Sequence, residues 1–155
     1  TAQGDVACSL PARISAMVVE RLQHLVDRSP HNSWLGMRIL TVGEEGVEIS
    51  VAWREEFISA PERRAVHGGV LAGLVDSGAV FAVMAATESL AATADIRVDY
   101  HAIPASAEML VKGRVIRQGR SLATAEAYVY DTENRLVASG RATVTIFRHS
   151  EASTG

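Results

Sequence analysis

Apolar residues recur at helical spacing through Leu10, Ile14, Met17, Val18, Leu22, Leu25 and Val26, after Ser9-Leu10-Pro11, which offers a cap and a first-turn proline. The pattern predicts a helix over about 11–28. Ser29-Pro30-His31-Asn32 ends it, because a residue before proline avoids the α region and Ser and Asn favour turns. An extended stretch over 34–42 follows, then Gly43-Glu44-Glu45-Gly46. Beyond that turn Val47, Ile49, Val51 and Trp53 alternate with Glu48, Ser50, Ala52 and Arg54, the period of a half-buried strand. These two segments are expected to pair as a hairpin.

From Gly68 to Thr87 the chain is apolar almost all round, through Val70, Leu71, Leu74, Val75, Ala79, Val80, Phe81, Val83 and Met84. A helix without a polar face is buried in a core or crosses a membrane. Asp76 in its middle would cost about 2.5–3.5 kcal/mol in a bilayer, and strand patterns surround it, so a central core helix is expected and a membrane span is not. Gly69, Gly73 and Gly78 also read as notches for contact with another helix.

Four further strands are predicted. Ile96, Val98, Tyr100 and Ala102 alternate with Arg97, Asp99 and His101, and Met109, Val111, Gly113 and Val115 alternate with Lys112 and Arg114. Leu122–Tyr130 and Leu136–Phe147 complete the set. Pro104-Ala105-Ser106, Gln118-Gly119-Arg120 and Asp131-Thr132-Glu133-Asn134 are turn sequences, so the four strands are expected to run as an antiparallel meander. The order helix, two strands, long helix, four strands predicts an α+β domain with one antiparallel sheet wrapped around one apolar helix. Its parts are an N-terminal helical segment over 1–33, the sheet-and-helix domain over 34–147 and a frayed tail over 148–155.

At 155 residues, 48% of them hydrophobic and 21% charged, the chain suits one domain with one core. A net charge of -3 argues against nucleic-acid binding, which needs a concentrated positive face. Cys8 is the single cysteine and can form no internal disulfide, which points to a reducing, cytoplasmic setting. The first residues lack a basic stretch followed by an apolar one, so no signal peptide is expected. Neither Cys8 nor His24, His31, His101 and His149 shows the spacing of a nucleophile pair or a metal site, and they read as structural or surface residues. Ser77 lacks the pattern of a nucleophile elbow.

The chemistry concentrates in Val66-His67-Gly68-Gly69-Val70-Leu71-Ala72-Gly73-Leu74-Val75-Asp76. Two glycines where a loop enters a helix admit another group to the first turn, whose N–H groups are unpaired and carry the positive end of the helix dipole. A thioester carbonyl placed there would be polarised, and a tetrahedral oxyanion would meet donors already in position. Tight packing is the plainer use of Gly68 and Gly69. Asp76 shifts the balance, because a carboxylate among Leu74, Val75, Ala79 and Val80 must be paired, neutral or facing a polar cavity. It is a structural acid, a general base for water or a nucleophile towards the thioester. Gly69 and Asp76 are seven residues apart, roughly 10 Å along a helix at about 1.5 Å per residue. One carbonyl cannot touch both, so a common reaction needs a second, antiparallel copy of the helix, as a two-fold dimer supplies.

His67-Gly68-Gly69 with Leu74 and Asp76, Thr93-Ala94-Asp95-Ile96-Arg97-Val98-Asp99-Tyr100, and Ala138-Ser139-Gly140-Arg141-Ala142-Thr143 together resemble the hotdog-fold acyl-CoA thioesterases of the phenylacetate-degradation type, over about residues 34–147. The resemblance implies a helix wrapped by a sheet that continues across a homodimer, often a dimer of dimers, and hydrolysis of an acyl-CoA without metal or other cofactor. It implies that Asp76 matches the catalytic acid, Gly68 or Gly69 the carbonyl-polarising amide, His67 the residue opening the helix and Thr93 a hydroxyl that positions water. The loop before the histidine departs from the family pattern, since Pro61 stands where many relatives carry asparagine and offers neither a side-chain donor nor an N–H. Arg63 and Arg64 are the candidates for meeting CoA phosphates, against the plainer reading as a solvated charge run. Two other functions are consistent with these residues: a hotdog hydratase or dehydratase, which needs an acid and a base at the α and β carbons, and a non-catalytic acyl-CoA binding module.

Overall fold

The computed structural model describes residues 12–148. Cys8, His149, the Ser9-Leu10-Pro11 start and most of the expected tail lie outside these residues. Helix α1 (Ala12–Arg28) is followed by a short helix α2 (Pro30–Trp34), then strands β1 (Met37–Gly43) and β2 (Gly46–Val51). A small pair, β3 (Ile58–Ala60) and β4 (Ala65–Val66), leads into helix α3 (Gly68–Thr87). Strands β5 (Leu90–Tyr100), β6 (Met109–Gln118), β7 (Leu122–Tyr130) and β8 (Leu136–Phe147) complete the chain.

The expected turn after α1 is itself a turn of helix. Ser29 caps it by accepting the Asn32 N–H on its hydroxyl, and Pro30 occupies the first helical position, where it sacrifices no hydrogen bond. The β1–β2 hairpin forms as the alternation implies, with Met37 opposite Val51 and Gly43 opposite Gly46, but it is shorter than expected: Trp34 closes α2 and β2 ends at Val51, before Trp53.

The main sheet has the order β1-β2-β6-β7-β8-β5 and is antiparallel throughout. This corrects the meander expectation: β6, β7 and β8 follow one another, but β5 lies beyond β8 at the far edge and β6 pairs with β2. The stretch from His101 to Glu108, read as turn chemistry between neighbours, is instead a crossing connection. It is held by buried Asp131 in the β7–β8 turn, which accepts N–H groups from Ala105, Glu133 and Arg135 and the Arg135 guanidinium. Burial alone would push this carboxyl up, but those donors outweigh it and hold it below its ordinary value. Its stabilisation is therefore present above the unfolded carboxyl's pKa and lost as pH falls through the lower folded one. An Asp131→Ala chain strands the donors and is expected to lose about 2–4 kcal/mol at pH 7. Its deficit should shrink as pH falls below about 4, where the unfolded wild-type chain begins to take up a proton on this carboxyl while the folded one still holds it ionised. Urea melts of both chains at pH 7 and pH 3 check this, and equal midpoints at pH 7 would rule it out.

Helix α3 lies across the sheet with Leu71, Leu74, Val75, Gly78, Ala79, Phe81, Ala82 and Val83 buried. Alanines on β7 (Ala123, Ala125, Ala127) keep the floor low beneath it. At the crossing a Cβ on Gly113 would stand 2.0 Å from the Gly78 carbonyl oxygen, and one on Gly78 would meet Val111 at 2.6 Å. Backbone thus rests on backbone, and Gly78 is a notch for the strand rather than for another helix. The opposite face of α3 is not buried: Gly69 is exposed, while Ala72, Gly73, Asp76, Ser77, Val80 and Met84 are half-buried. The apolar helix therefore has one packed side and one open side.

The two edges of the sheet differ. Along β1, helix α1 supplies side chains to the free backbone groups: Gln23 Oε1 accepts the Ile39 N–H at 2.8 Å, and the Ser15 hydroxyl donates to the Val42 carbonyl. Along β5, eleven residues long, the outer row of backbone groups faces no other strand among the described residues. One edge is covered and the other can accept another strand.

Candidate active site

Strand pairing and helix capping position the site. The N–H of His67 donates to the Phe57 carbonyl at 2.8 Å, which fixes the approach to α3. Phe57 is wholly buried and packs edge-on against Trp34 and Trp53. His67 is the N-cap of α3, in extended conformation, and its Nδ1 accepts the Gly69 N–H at 2.9 Å. That bond requires the neutral ring with its proton on Nε2. The His67 carbonyl accepts the Val70 N–H at 2.9 Å. Of the two candidate amides, Gly69 is therefore occupied by the imidazole, and the Gly68 N–H has no partner among the described residues. The Gly68 carbonyl accepts the phenol of Tyr100 at 3.1 Å.

Asp76 sits two turns further on, half-buried on the open face of α3, with its Oδ1 accepting the Thr93 hydroxyl at 2.5 Å. Thr93 reaches it because of a bulge. The register of β5 against β8 shifts between Thr93 and Asp95, so Thr93 and Ile96 both face the helix although they stand three positions apart. Ile96, Val98 and Tyr100 then continue along that face, opposite Ala142, Gly140 and Ala138. The structure thus brings Asp76 together with Thr93, and His67, Gly68 and Gly69 with Tyr100. Within one chain these are two half-sites on one open face. The cavities of about 450 Å³ beside the β1–β2 turn and about 320 Å³ around Arg141 touch neither half.

Arg63 and Arg64 have different surroundings. Arg64, left-handed at φ 52°, closes the turn Pro61–Arg63 at the tip of the β3–β4 hairpin. Its guanidinium grips both Glu55 carboxylate oxygens at 2.8 Å and donates to Ser106 at 3.2 Å. These Arg64 bonds, with the Trp53 indole N–H second, hold the Glu55 carboxyl down to about 2. Arg64 thus ties the approach to α3 to the His101–Glu108 connection, whereas Arg63 is exposed at the hairpin tip beside exposed Pro61. Two residues of this neighbourhood carry no site signal in the sequence: Tyr100 stands out only as a strand position at the end of the Thr93–Tyr100 segment, and nothing marks Glu55.

A family model described as "Thioesterase superfamily" matches residues 64–138, the span that holds both half-sites. A solved structure of a protein from the same superfamily is 44% identical, covers 85% of this chain and 99% of its own, and superposes with a TM-score of 0.81. The chain belongs to the thioesterase superfamily. A candidate esterase of Halobacterium salinarum is 28% identical over 138 residues, 82% of this chain and 91% of that protein. The E. coli PaaI protein from the phenylacetic acid degradation operon shares the fold, with a TM-score of 0.77 at 15% identity over 87% of this chain and 96% of its own. The sheet wrapped around α3 is the hotdog fold, and membership of this superfamily supports thioester hydrolysis in general.

Proposed function

We propose that the protein is an acyl-CoA thioesterase whose active site is completed by two copies of the chain. The observation that carries this reading is the division of the site: an unpartnered Gly68 amide at the positive end of α3 and a Thr93-held carboxylate two turns away, both on a face that the chain leaves open. A second α3 running antiparallel would bring its Asp76 to the first chain's Gly68. The free β5 edge and the covered β1 edge favour a two-fold assembly with β5 beside β5, one sheet running through both subunits. Such a dimer is the minimal active unit, and a dimer of dimers is compatible with it.

In this arrangement the thioester carbonyl oxygen lies on the Gly68 N–H. With Oδ1 engaged by Thr93, Asp76 uses Oδ2 to take a proton from water as the water oxygen bonds to the carbonyl carbon. The resulting oxyanion is held by the amide and the helix dipole. Collapse breaks the carbon–sulfur bond, and the proton on Asp76 passes to the departing CoA thiolate. If Asp76 attacks the carbonyl itself and water then opens the mixed anhydride at the Asp76 carboxyl carbon, a single turnover in ¹⁸O water leaves label in the Asp76 carboxylate, which the base route does not.

The test is incubation with acetyl-, hexanoyl-, lauroyl- and phenylacetyl-CoA while released thiol is followed with a thiol reagent. Thiol release supports hydrolysis. Water addition to an enoyl-CoA without thiol release would make the protein a hydratase, and tight binding without turnover would make it a binding module. Arg63 is the proposed contact for CoA phosphates. Arg63→Ala is expected to raise KM about two- to fivefold at low ionic strength, with the effect fading as salt rises. An unchanged KM at both salt concentrations would remove Arg63 from the site.

A further inference from the structure

We infer that Tyr100 is a positioning residue for the reaction, acting through the Gly68–Gly69 peptide rather than on substrate. The inference rests on the acyl-CoA thioesterase reading above and deepens it.

Two successive peptide planes meet at the Cα of Gly68. The first carries the Gly68 N–H, and its carbonyl, from His67, accepts the Val70 N–H at 2.9 Å. The second has the Gly68 carbonyl at one end and the Gly69 N–H at the other. Because glycine lacks a Cβ, the joint between the planes is the softest point of the first turn. A soft joint would let the Gly68 N–H swing, and a donor to an oxyanion acts by being in place beforehand. The structure clamps the second plane at both ends: the Gly69 N–H on His67 Nδ1 at 2.9 Å, and the Gly68 carbonyl beneath the Tyr100 hydroxyl at 3.1 Å. The His67 clamp is local, made by the residue that opens the helix. Tyr100 is the clamp from outside, mounted on the last position of β5, where strand pairing with Ala138 holds it.

The ring adds a second restraint. A Cβ built on Gly68 would lie 3.4 Å from Tyr100 Cζ, so the phenol lies directly on the glycine backbone. Tyr100 is 55% exposed, which is too little burial for a core aromatic and makes its placement over the first turn of α3 the notable feature. Thr93 and Tyr100 face the helix from the same strand, one holding Asp76 and the other holding Gly68. Strand β5 therefore sets both half-sites at once.

The experiment compares Tyr100→Phe with wild type in the acyl-CoA assay and in binding of a non-hydrolysable thioether analogue of the best substrate. The variant keeps the ring and loses one hydrogen bond, so kcat is expected to fall about tenfold with KM and analogue affinity kept within about twofold. The thermal midpoint is expected to be unchanged. A kcat equal to wild type overturns the inference, and a fall in kcat that tracks a lowered thermal midpoint overturns it in favour of a merely structural tyrosine. Failure of the wild type to release thiol from any of the four acyl-CoAs would instead overturn the thioesterase reading, and the inference with it.

Discussion

An Asp76→Asn chain is expected to release CoA about 10²- to 10⁴-fold more slowly than the parent while binding acyl-CoA about as well, the loss usual for a positioned acid–base group. Asparagine keeps the shape, and its carbonyl oxygen can still accept the Thr93 hydroxyl that now bonds Asp76 Oδ1. What disappears is the second, basic oxygen. Read from sequence, a carboxylate in an apolar helix should be costly, and its removal should stabilise the fold. The structure tempers that expectation: Asp76 is hydrogen-bonded by Thr93 and points away from the packed side of α3, into what the proposed dimer makes a water-bearing site, so little desolvation remains to be relieved. The thermal midpoint of the variant should therefore stay near that of the parent. A folded variant that keeps most of its thiol-release rate, or a variant that unfolds, would make Asp76 a scaffold residue.

Mixing two inactive chains should restore activity if the site is shared. Gly68→Pro removes the single N–H assigned to the oxyanion. The backbone should accept it, since proline is favoured at the first helical position and His67, at ψ 128°, has the extended conformation required before proline. Alone, this chain is expected to lose about 10²- to 10³-fold in kcat. Co-expressed with Asp76→Asn chains, half of the randomly assembled dimers would pair one of each. Each such dimer would hold one intact site, Gly68 from the Asp76→Asn chain and Asp76 from the Gly68→Pro chain. Activity should return to about a quarter of the wild-type rate per subunit. A mixture no more active than its components would defeat the shared site, and a Gly68→Pro chain that is fully active alone would move the oxyanion role to Gly69.

Helix α3 was fully legible in the sequence, to both ends, because Gly68 and Thr87 bound a run that is apolar but for Asp76 and Ser77. Strands β7 and β8 were equally plain, since alternation and turn residues are local signals. The start of β5 was not. After Leu90, the segment Ala91-Ala92-Thr93-Ala94-Asp95 lacks large apolar residues, and the bulge near Ala94 breaks the period-2 pattern that joins Thr93 to Ile96. The bulge also aims Thr93 at Asp76, so the feature that hid the strand is the one that builds this half of the site.

The sequence by itself determined which residues could carry chemistry: glycines at a helix entrance, an acid two turns later, and a separation too long for one carbonyl. These follow from the rise of a helix and the chemistry of side chains, which need no knowledge of neighbours. Only the tertiary structure decided the rest. It set β5 beyond β8, gave the Gly69 amide to His67 and left that of Gly68 without a partner among the described residues, drew Arg64 into the Glu55 clamp, and placed Tyr100 over the first turn of α3. Apart from the local His67–Gly69 bond, each of those outcomes depends on contacts between segments separated along the chain, where several partners compete for one group, and composition and periodicity hold no record of which one wins.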